Sequence, residues 1–403
     1  MTQRSLPLAG FRIISIEQYG AGPYGTMHLA QLGAEVIKIE PPRKDGKGGG
    51  DTARSVGPHF LRKDESLYFQ AFNLNKRSLT LDLATPEGQA VLHKLVKTAH
   101  AVANNMRGDL PAKMGVTYEA LKDINPAIVC AHLSAYGRDN ARAKWPGYDY
   151  LMQAEAGYCM LTGDPDGEPQ RMGLSMVDFM TGTIMAVGLL AALVDAQRTG
   201  LGREIDTDLL SAGVHQTSYP ALWYMNEGDV TGRTPRSAHP SATPSQMVKA
   251  QDGWMFVMCQ LPKFWDVLMT RMGRADIAGD PRFATNADRL ANRDALTQVL
   301  DTAFSEQPVA HWMALLEGYV PVSPVYGLDQ AMDNPWLETI GMRDTVDHPD
   351  RAGLHVLASP IKVDGQRLPN RAGPLLGADS AAILQELGYS DEEATALRSA
   401  GVV

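Results

Sequence analysis

The feature that most constrains the fold is an alternation in the first half of the chain. Short apolar runs, at Arg12–Ile16, Glu35–Ile39, Ser78–Leu83, Ala101–Ala103 and Ile128–Leu133, are separated by segments of helical periodicity. The segment Pro86–Ala99 is the clearest of these. Thr85 is placed to cap it, Pro86 occupies its first turn, and Val91, Leu92, Leu95 and Val96 form one apolar face. Strands that alternate with helices build βαβ units, and these units close into a largely parallel sheet. The expected class is therefore α/β, with a Rossmann-like large domain.

A chain of 403 residues is long for a single core, so two domains are expected. The texture changes near Asn226, and Gly, Pro, Ser and Thr dominate up to Gln246. Residues 1–224 are assigned to the first part of the large domain. Residues 225–325 form a smaller α+β domain, and 326–403 return to the large one. Trp254, Phe256, Phe264 and Trp265 are expected in the small-domain core. Lys44–Asp51, a Gly/Lys run, reads as a mobile loop.

The apolar stretch Phe179–Val194 contains Thr181 and Thr183 and falls short of the ~20 residues that cross a bilayer. A buried helix, and no membrane, is expected. The formal net charge of -9 argues against a nucleic-acid partner. Three scattered cysteines and a first ten residues without a signal-peptide pattern fit a cytoplasmic location. Ten dispersed histidines, with no H-E-x-x-H and no Cys/His cluster, indicate no metal site.

Two features carry chemistry. The run Gly20-Ala21-Gly22-Pro23-Tyr24-Gly25 fits G-x-G-x-x-G between a strand and a helix, and Glu40 ends the next strand. Three readings stay open: a tight turn, a site for a phosphate or CoA group, and a true NAD site. The last would make the chain an oxidoreductase, although Pro23 and Pro41-Pro42 speak against it. The second feature is Asp178, at the start of the long apolar helix. On residue type alone it reads first as an N-cap and only second as a reactive carboxylate. Likewise Tyr148, Asp149, Lys113 and Asn105 each have an ordinary surface or turn reading.

Read in order, several short motifs belong together. They are Leu32-Gly33-Ala34-Glu35-Val36-Ile37-Lys38-Ile39-Glu40, Asn73-Leu74-Asn75-Lys76-Arg77-Ser78, Pro146-Gly147-Tyr148-Asp149, Asp178 with Thr181-Gly182, His239-Pro240-Ser241 and Leu375-Leu376-Gly377. This succession resembles the family III CoA-transferases, whose fold the acyl-CoA racemases share. The resemblance implies an interlaced homodimer. It makes Asp178 the catalytic carboxylate and CoA or acyl-CoA a substrate, with no permanently bound cofactor. It also places CoA contacts near Gly20, Ala21, Leu81, Asp82, Asn105, Met106, Lys113, Tyr148 and Asp149. Some positions depart from the pattern. Met106 stands where an aromatic residue is frequent, Lys113 stands for an arginine, and Pro41 and Pro42 stand where some members carry arginine. Arg43 or Lys44 could replace the missing cations.

The implied chemistry is exchange of CoA between two carboxylic acids through an anhydride and a thioester on Asp178. It requires an ionised carboxylate, so Asp178 is expected to escape a pKa rise on burial. The Gly20 turn is the expected oxyanion hole. Racemases carry a His before the Asp of the Gly-x-Asp motif. Tyr148 stands there in this chain and is a poor base at neutral pH, which favours transfer over racemisation.

Overall fold

The computed structural model of the protein describes residues 4–44 and 48–403; Asp45, Gly46 and Lys47, in the middle of the expected loop, lie outside them. The chain divides into two compact units. The larger comprises Met1–Ala156, Gly173–Thr217 and Trp336–Val403, and the smaller comprises Gly157–Met172 and Ser218–Pro335. The excursion at Gly157–Met172 had no counterpart in the sequence-based boundaries.

The larger unit is built on six strands: β1 (Arg12–Ile16), β2 (Glu35–Glu40), β3 (Arg77–Thr80), β4 (Ala101–Asn104), β5 (Val129–Ser134) and β6 (Glu204–Asp208). Every pairing is parallel, and the order across the sheet is β3-β2-β1-β4-β5-β6. The chain winds outward one way from β1 through β3, then returns to start β4 on the other side. That reversal leaves a crevice above the carboxyl ends of β1 and β4, where such sheets bind ligands. Helices cover both faces, so the strands read as apolar runs: Ile13, Ile14, Val36, Ile37, Val102 and Val129 are fully enclosed.

The helices that frame the crevice and its core include α1 (Ala21–Gln31), α2 (Pro86–Val96), α3 (Asp149–Glu155), α4 (Met176–Thr199) and α5 (Leu209–Gln216). As expected, Thr85 caps α2 by accepting the Gly88 N–H, and Val91, Leu92, Leu95 and Val96 are its buried face. By length and composition, α4 could cross a membrane. In this fold it packs against α1, α5, β5 and β6, and Met185 and Leu189 on that side are fully buried. Gly200, at φ +72°, ends it in the left-handed conformation.

One element departs from the apolar pattern. Under the crevice, β2 carries Lys38 and Glu40, both with essentially no solvent exposure. Lys38 pairs with Asp51 at 2.9 Å and donates to the Glu17 carbonyl at 2.8 Å. Lys76 pairs with Glu17 at 2.7 Å. Arg54 grips Glu40 with two hydrogen bonds of 2.7 and 2.8 Å and reaches Glu65 as well. Buried charges persist only when paired and hydrogen-bonded. This network ties β2 and the Asn73–Ser78 motif to the segment after β1.

In the smaller unit, β7 (Ser245–Lys249), β8 (Trp254–Met258) and β9 (Val322–Pro324) form an antiparallel sheet in the order β9-β8-β7. Helices α6 (Pro262–Met272) and α7 (Arg293–Phe304) contribute Trp265, Leu268 and Leu300 to its core. Period two on β8 corrects the aromatic expectation. Met255, Val257 and Cys259 point into the core, whereas Trp254 lies on the other face between Arg236 and Lys249, and Phe256 shares that face. Trp265 is in the core, and Phe264 packs against it.

Candidate active site

The crevice above β1 and β4 is a cleft of about 530 Å³. Its walls come from the segments after β1, β2, β4 and β5, together with Asp178 from α4. Three glycines of the run Gly20–Gly25 explain how Asp178 reaches it. A Cβ on Gly25 would sit 2.3 Å from the Gly182 carbonyl oxygen, and one on Gly182 would sit 2.2 Å from the Ala21 carbonyl oxygen. So α1 and α4 meet backbone to backbone. A Cβ on Gly22 would lie 2.9 Å from Asn105 Cβ, and one on Gly20 would lie 2.7 Å from Asp178 Oδ2. The glycines therefore bring two helices together and leave the Asp178 carboxylate resting on the turn that starts α1.

The turn itself is held from both sides. The Asn105 amide accepts from the Gln18 N–H at 2.8 Å and donates to the Gln18 carbonyl at 2.7 Å. Tyr19 is in the left-handed region at φ +68°, uncommon for a residue of its size. Its N–H donates to Asp51 Oδ1 at 3.0 Å, and Asp51 is the carboxylate that Lys38 pairs with. The buried charges thus fix the backbone that presents Gly20. At the start of α1, the N–H groups of Ala21 and Gly22 have no carbonyl one turn back to bond.

Asp178 is not the N-cap of its helix. Ser175 holds that position, and Asp178 lies in the first turn, half-buried. Its backbone N–H donates to Asp149 Oδ2 at 2.9 Å. The helix N-terminus favours a charged carboxyl by up to about 1 kcal/mol. Burial, and then the Asp149 carboxylate, oppose it and push the Asp178 pKa up to about 7. The expectation that burial would leave this carboxyl untouched is therefore corrected. Around it, the rings of Tyr19 and Tyr68 lie 5.4 Å apart, and Tyr19 and Tyr148 lie 6.2 Å apart. Burial raises the Tyr68 hydroxyl well above its ordinary pKa.

The structure brings Gly20, Ala21, Asn105, Met106, Tyr148 and Asp178 together in the cleft. It places others elsewhere. Leu81 is 2% exposed and belongs to the core beneath the sheet. Asp82 pairs with Lys44 at 3.3 Å, while Lys113 pairs with Asp109 on an exposed surface. Asp149 is 4% exposed and lies behind Asp178, outside the cleft lining. The sequence reading missed Gln18, Tyr19, Asp51, Arg107 and Trp145, which line the cleft. Arg107 carried a usable signal, since it closes the Asn105-Met106 segment at the carboxyl end of β4.

The NAD reading fails on Glu40. A ribose-binding acid needs free carboxylate oxygens, but both oxygens of Glu40 are taken by Arg54, Ser78 and the Asp51 N–H in the interior. Among the described residues no group of three or more His, Cys, Asp or Glu could hold a metal ion.

Similarity to known proteins agrees with this geometry. Residues 8–380 match CoA-transferase family III. The chain is 32% identical to a succinate–glutarate CoA-transferase of Agrobacterium fabrum, over 98% of this chain and 99% of that protein. It is 33% identical to an acetyl-CoA:oxalate CoA-transferase of Acetobacter aceti, over 94% and 95%. A crystal structure of a CaiB/BaiF family protein from Brucella suis superposes with a TM-score of 0.82 at 32% identity, covering 95% of this chain and 100% of that one. The chain belongs to CoA-transferase family III.

Proposed function

We propose that the protein moves CoA between two small carboxylic acids, and that Asp178 carries first the acyl group and then CoA. The observation that carries this reading is the Asp178 carboxylate lying against the Gly20 turn inside the cleft. In the first step a carboxylate oxygen of Asp178 attacks the donor thioester. A C–O bond forms, the C–S bond breaks, and CoA leaves as thiolate, giving a mixed anhydride. The thiolate then attacks the aspartyl carbonyl, which yields an enzyme thioester and releases the donor acid. The acceptor carboxylate attacks that thioester and forms a second anhydride. Thiolate attack on the acceptor carbonyl completes the exchange and restores Asp178. No step needs a proton or a redox partner.

The N–H groups of Ala21 and Gly22 are suited to hold the oxyanion at each tetrahedral stage. CoA would lie along Met106, Leu110 and Trp145, with Arg107 at the rim near the phosphates. Lys44 and Lys113 are exposed cations, each already paired with a carboxylate. The names of both relatives include a short dicarboxylate, succinate and glutarate in one and oxalate in the other, so we infer that at least one of the two acids here is a short dicarboxylate. A panel of acetyl-, formyl- and succinyl-CoA donors against oxalate, succinate, glutarate and mesaconate, with CoA esters read by mass, tests this. The expected result is CoA transfer onto at least one of these dicarboxylates; hydrolysis or α-proton exchange without transfer would reject it.

We also infer an interlaced homodimer in the cytoplasm. The outward side of α4 leaves Val187 and Val194 more than half exposed, an apolar stripe suited to a second chain. Light scattering should report a dimer that survives dilution, and a monomer would contradict it.

A further inference from the structure

The proposed chemistry uses one carboxylate, but two stand at the head of α4. Asp149 lies in the first turn of α3, where Gln153 one turn on donates to its Oδ1 at 2.6 Å. Its other oxygen, Oδ2, accepts the Asp178 backbone N–H at 2.9 Å. Both Asp149 and Gln153 are buried, at 4% and 1% exposure. Gln153 also donates to the Leu174 carbonyl at 3.0 Å, just before α4 begins. Two side chains of α3 thus fasten the start of α4 by its backbone. Tyr148, the residue before Asp149, reaches the cleft, while Asp149 turns away from it.

We propose that Asp149 is a positioning residue for acyl transfer: it fixes the first turn of α4 and holds a negative charge behind Asp178. This rests on the reading of Asp178 as the acyl carrier. The charge matters because Asp178 attacks as an anion, whereas its anhydride and thioester are neutral. A fixed negative neighbour raises the free energy of the resting carboxylate and leaves the acylated forms almost untouched. Acylation relieves the repulsion, so the neighbour favours forward transfer and makes the carboxylate a stronger base and nucleophile.

Other titratable groups surround Asp178. Tyr150 comes from α3, Tyr68 from the turn Leu67–Gln70, and Tyr19 and Asp51 lie beyond Tyr68. From α1, Tyr24 packs on Phe179 with His28 behind it. Glu17, Glu40 and Arg107 line the cleft. Among these, Asp149 is the charge that acts on the Asp178 carboxyl. Burial raises the Tyr24 and Tyr68 hydroxyls above their ordinary pKa, and Glu17, Glu40 and Asp51 are paired with Lys76, Arg54 and Lys38.

The test reads Asp178 directly and needs no substrate. Protein labelled with carboxyl-¹³C aspartate is titrated by NMR, and the Asp178 signal is assigned by its loss in Asp178→Asn. In Asp149→Asn, which keeps an oxygen able to accept the Asp178 N–H, the midpoint should fall by about one pH unit. Asp149→Ser also removes the charge and gives the same reading if the amide variant does not fold. With a productive substrate pair, Asp149→Ala should lose about 10²-fold in kcat through loss of orientation, with the donor KM little changed. Asn should recover part of that loss, and its acid limb should move to lower pH. An Asp178 midpoint unchanged in the charge-free variants would overturn the proposal. Because the titration is measured on the free protein, that result would leave the role of Asp178 itself standing or falling on separate data.

Discussion

Asp178→Asn is expected to lower turnover by at least about 10⁴-fold, the scale seen when a covalent nucleophile is removed, while CoA affinity stays close to the parent. Its effect on stability should run the other way. Burial and Asp149 raise the carboxyl from 3.8 to about 7 in the folded protein. Between about pH 4 and pH 7 the folded chain therefore keeps a proton that the unfolded chain has released. Folding stability contributed by this group falls as pH rises through that window, and the deficit persists above it. Asparagine does not titrate, so the variant should draw ahead of the parent as pH rises, by about 2–4 kcal/mol above pH 7. Urea unfolding at pH 4.5 and pH 8 measures the difference. A variant less stable than the parent at pH 8 would mean that the Asp178 charge holds the fold together, contrary to its surroundings. Loss of activity with gain of stability is the pattern expected where a site keeps a strained group for its chemistry.

The second large effect is expected at Gly182. A methyl there would lie 2.2 Å from the Ala21 carbonyl oxygen and 3.1 Å from the Gly25 nitrogen. Both are main-chain atoms, so no side chain can rotate out of the way. Gly182→Ala should push α1 and α4 apart by a fraction of an ångström to about one ångström. It should cost about 1–3 kcal/mol of stability and about 10²-fold in kcat, because the Asp178 carboxylate would leave the Gly20 turn. Gly232→Ala is the matched control. Its new methyl meets nothing within 4 Å, and activity and stability should both stay at parental values. Equal kcat in the two variants would show that close helix contact does not set the geometry of Asp178.

Much of the larger unit could be read from the sequence because each signal was local. Alternating apolar runs gave the parallel strands, and Thr85-Pro86 with the spacing of Val91, Leu92, Leu95 and Val96 gave α2. The features that were hidden depend on partners far apart in the chain. Lys38 and Lys76 look like solvent-facing cations until Asp51 and Glu17 are seen beside them. The run Gly20–Gly25 looks the same whether its glycines admit a pyrophosphate or another helix. Gly182, more than 150 residues later, decides the matter. Asp178 was ambiguous by residue type, since a capping and a reacting aspartate share one position class. In the fold, Ser175 takes the cap position, and a carboxylate from Asp149, 29 residues earlier, accepts the Asp178 N–H. Leu81 was expected among the CoA contacts, but it follows β3 at the outer edge of the sheet, and its side chain turns into the core.

The most direct test of the central claim looks for the group carried on Asp178. The protein is incubated with a donor acyl-CoA and no acceptor, treated with hydroxylamine, and digested with trypsin. Asp178 lies in the tryptic peptide of residues 172–198, between Arg171 and the cut after Arg198. Hydroxylamine attacks anhydrides and thioesters but not free carboxylates, so an activated aspartyl group is converted to a hydroxamate that fragmentation locates. The account predicts a hydroxamate on Asp178 that requires the donor and is absent from Asp178→Asn. Turnover with an unmodified Asp178 peptide, under conditions where CoA is released from the donor, would contradict it.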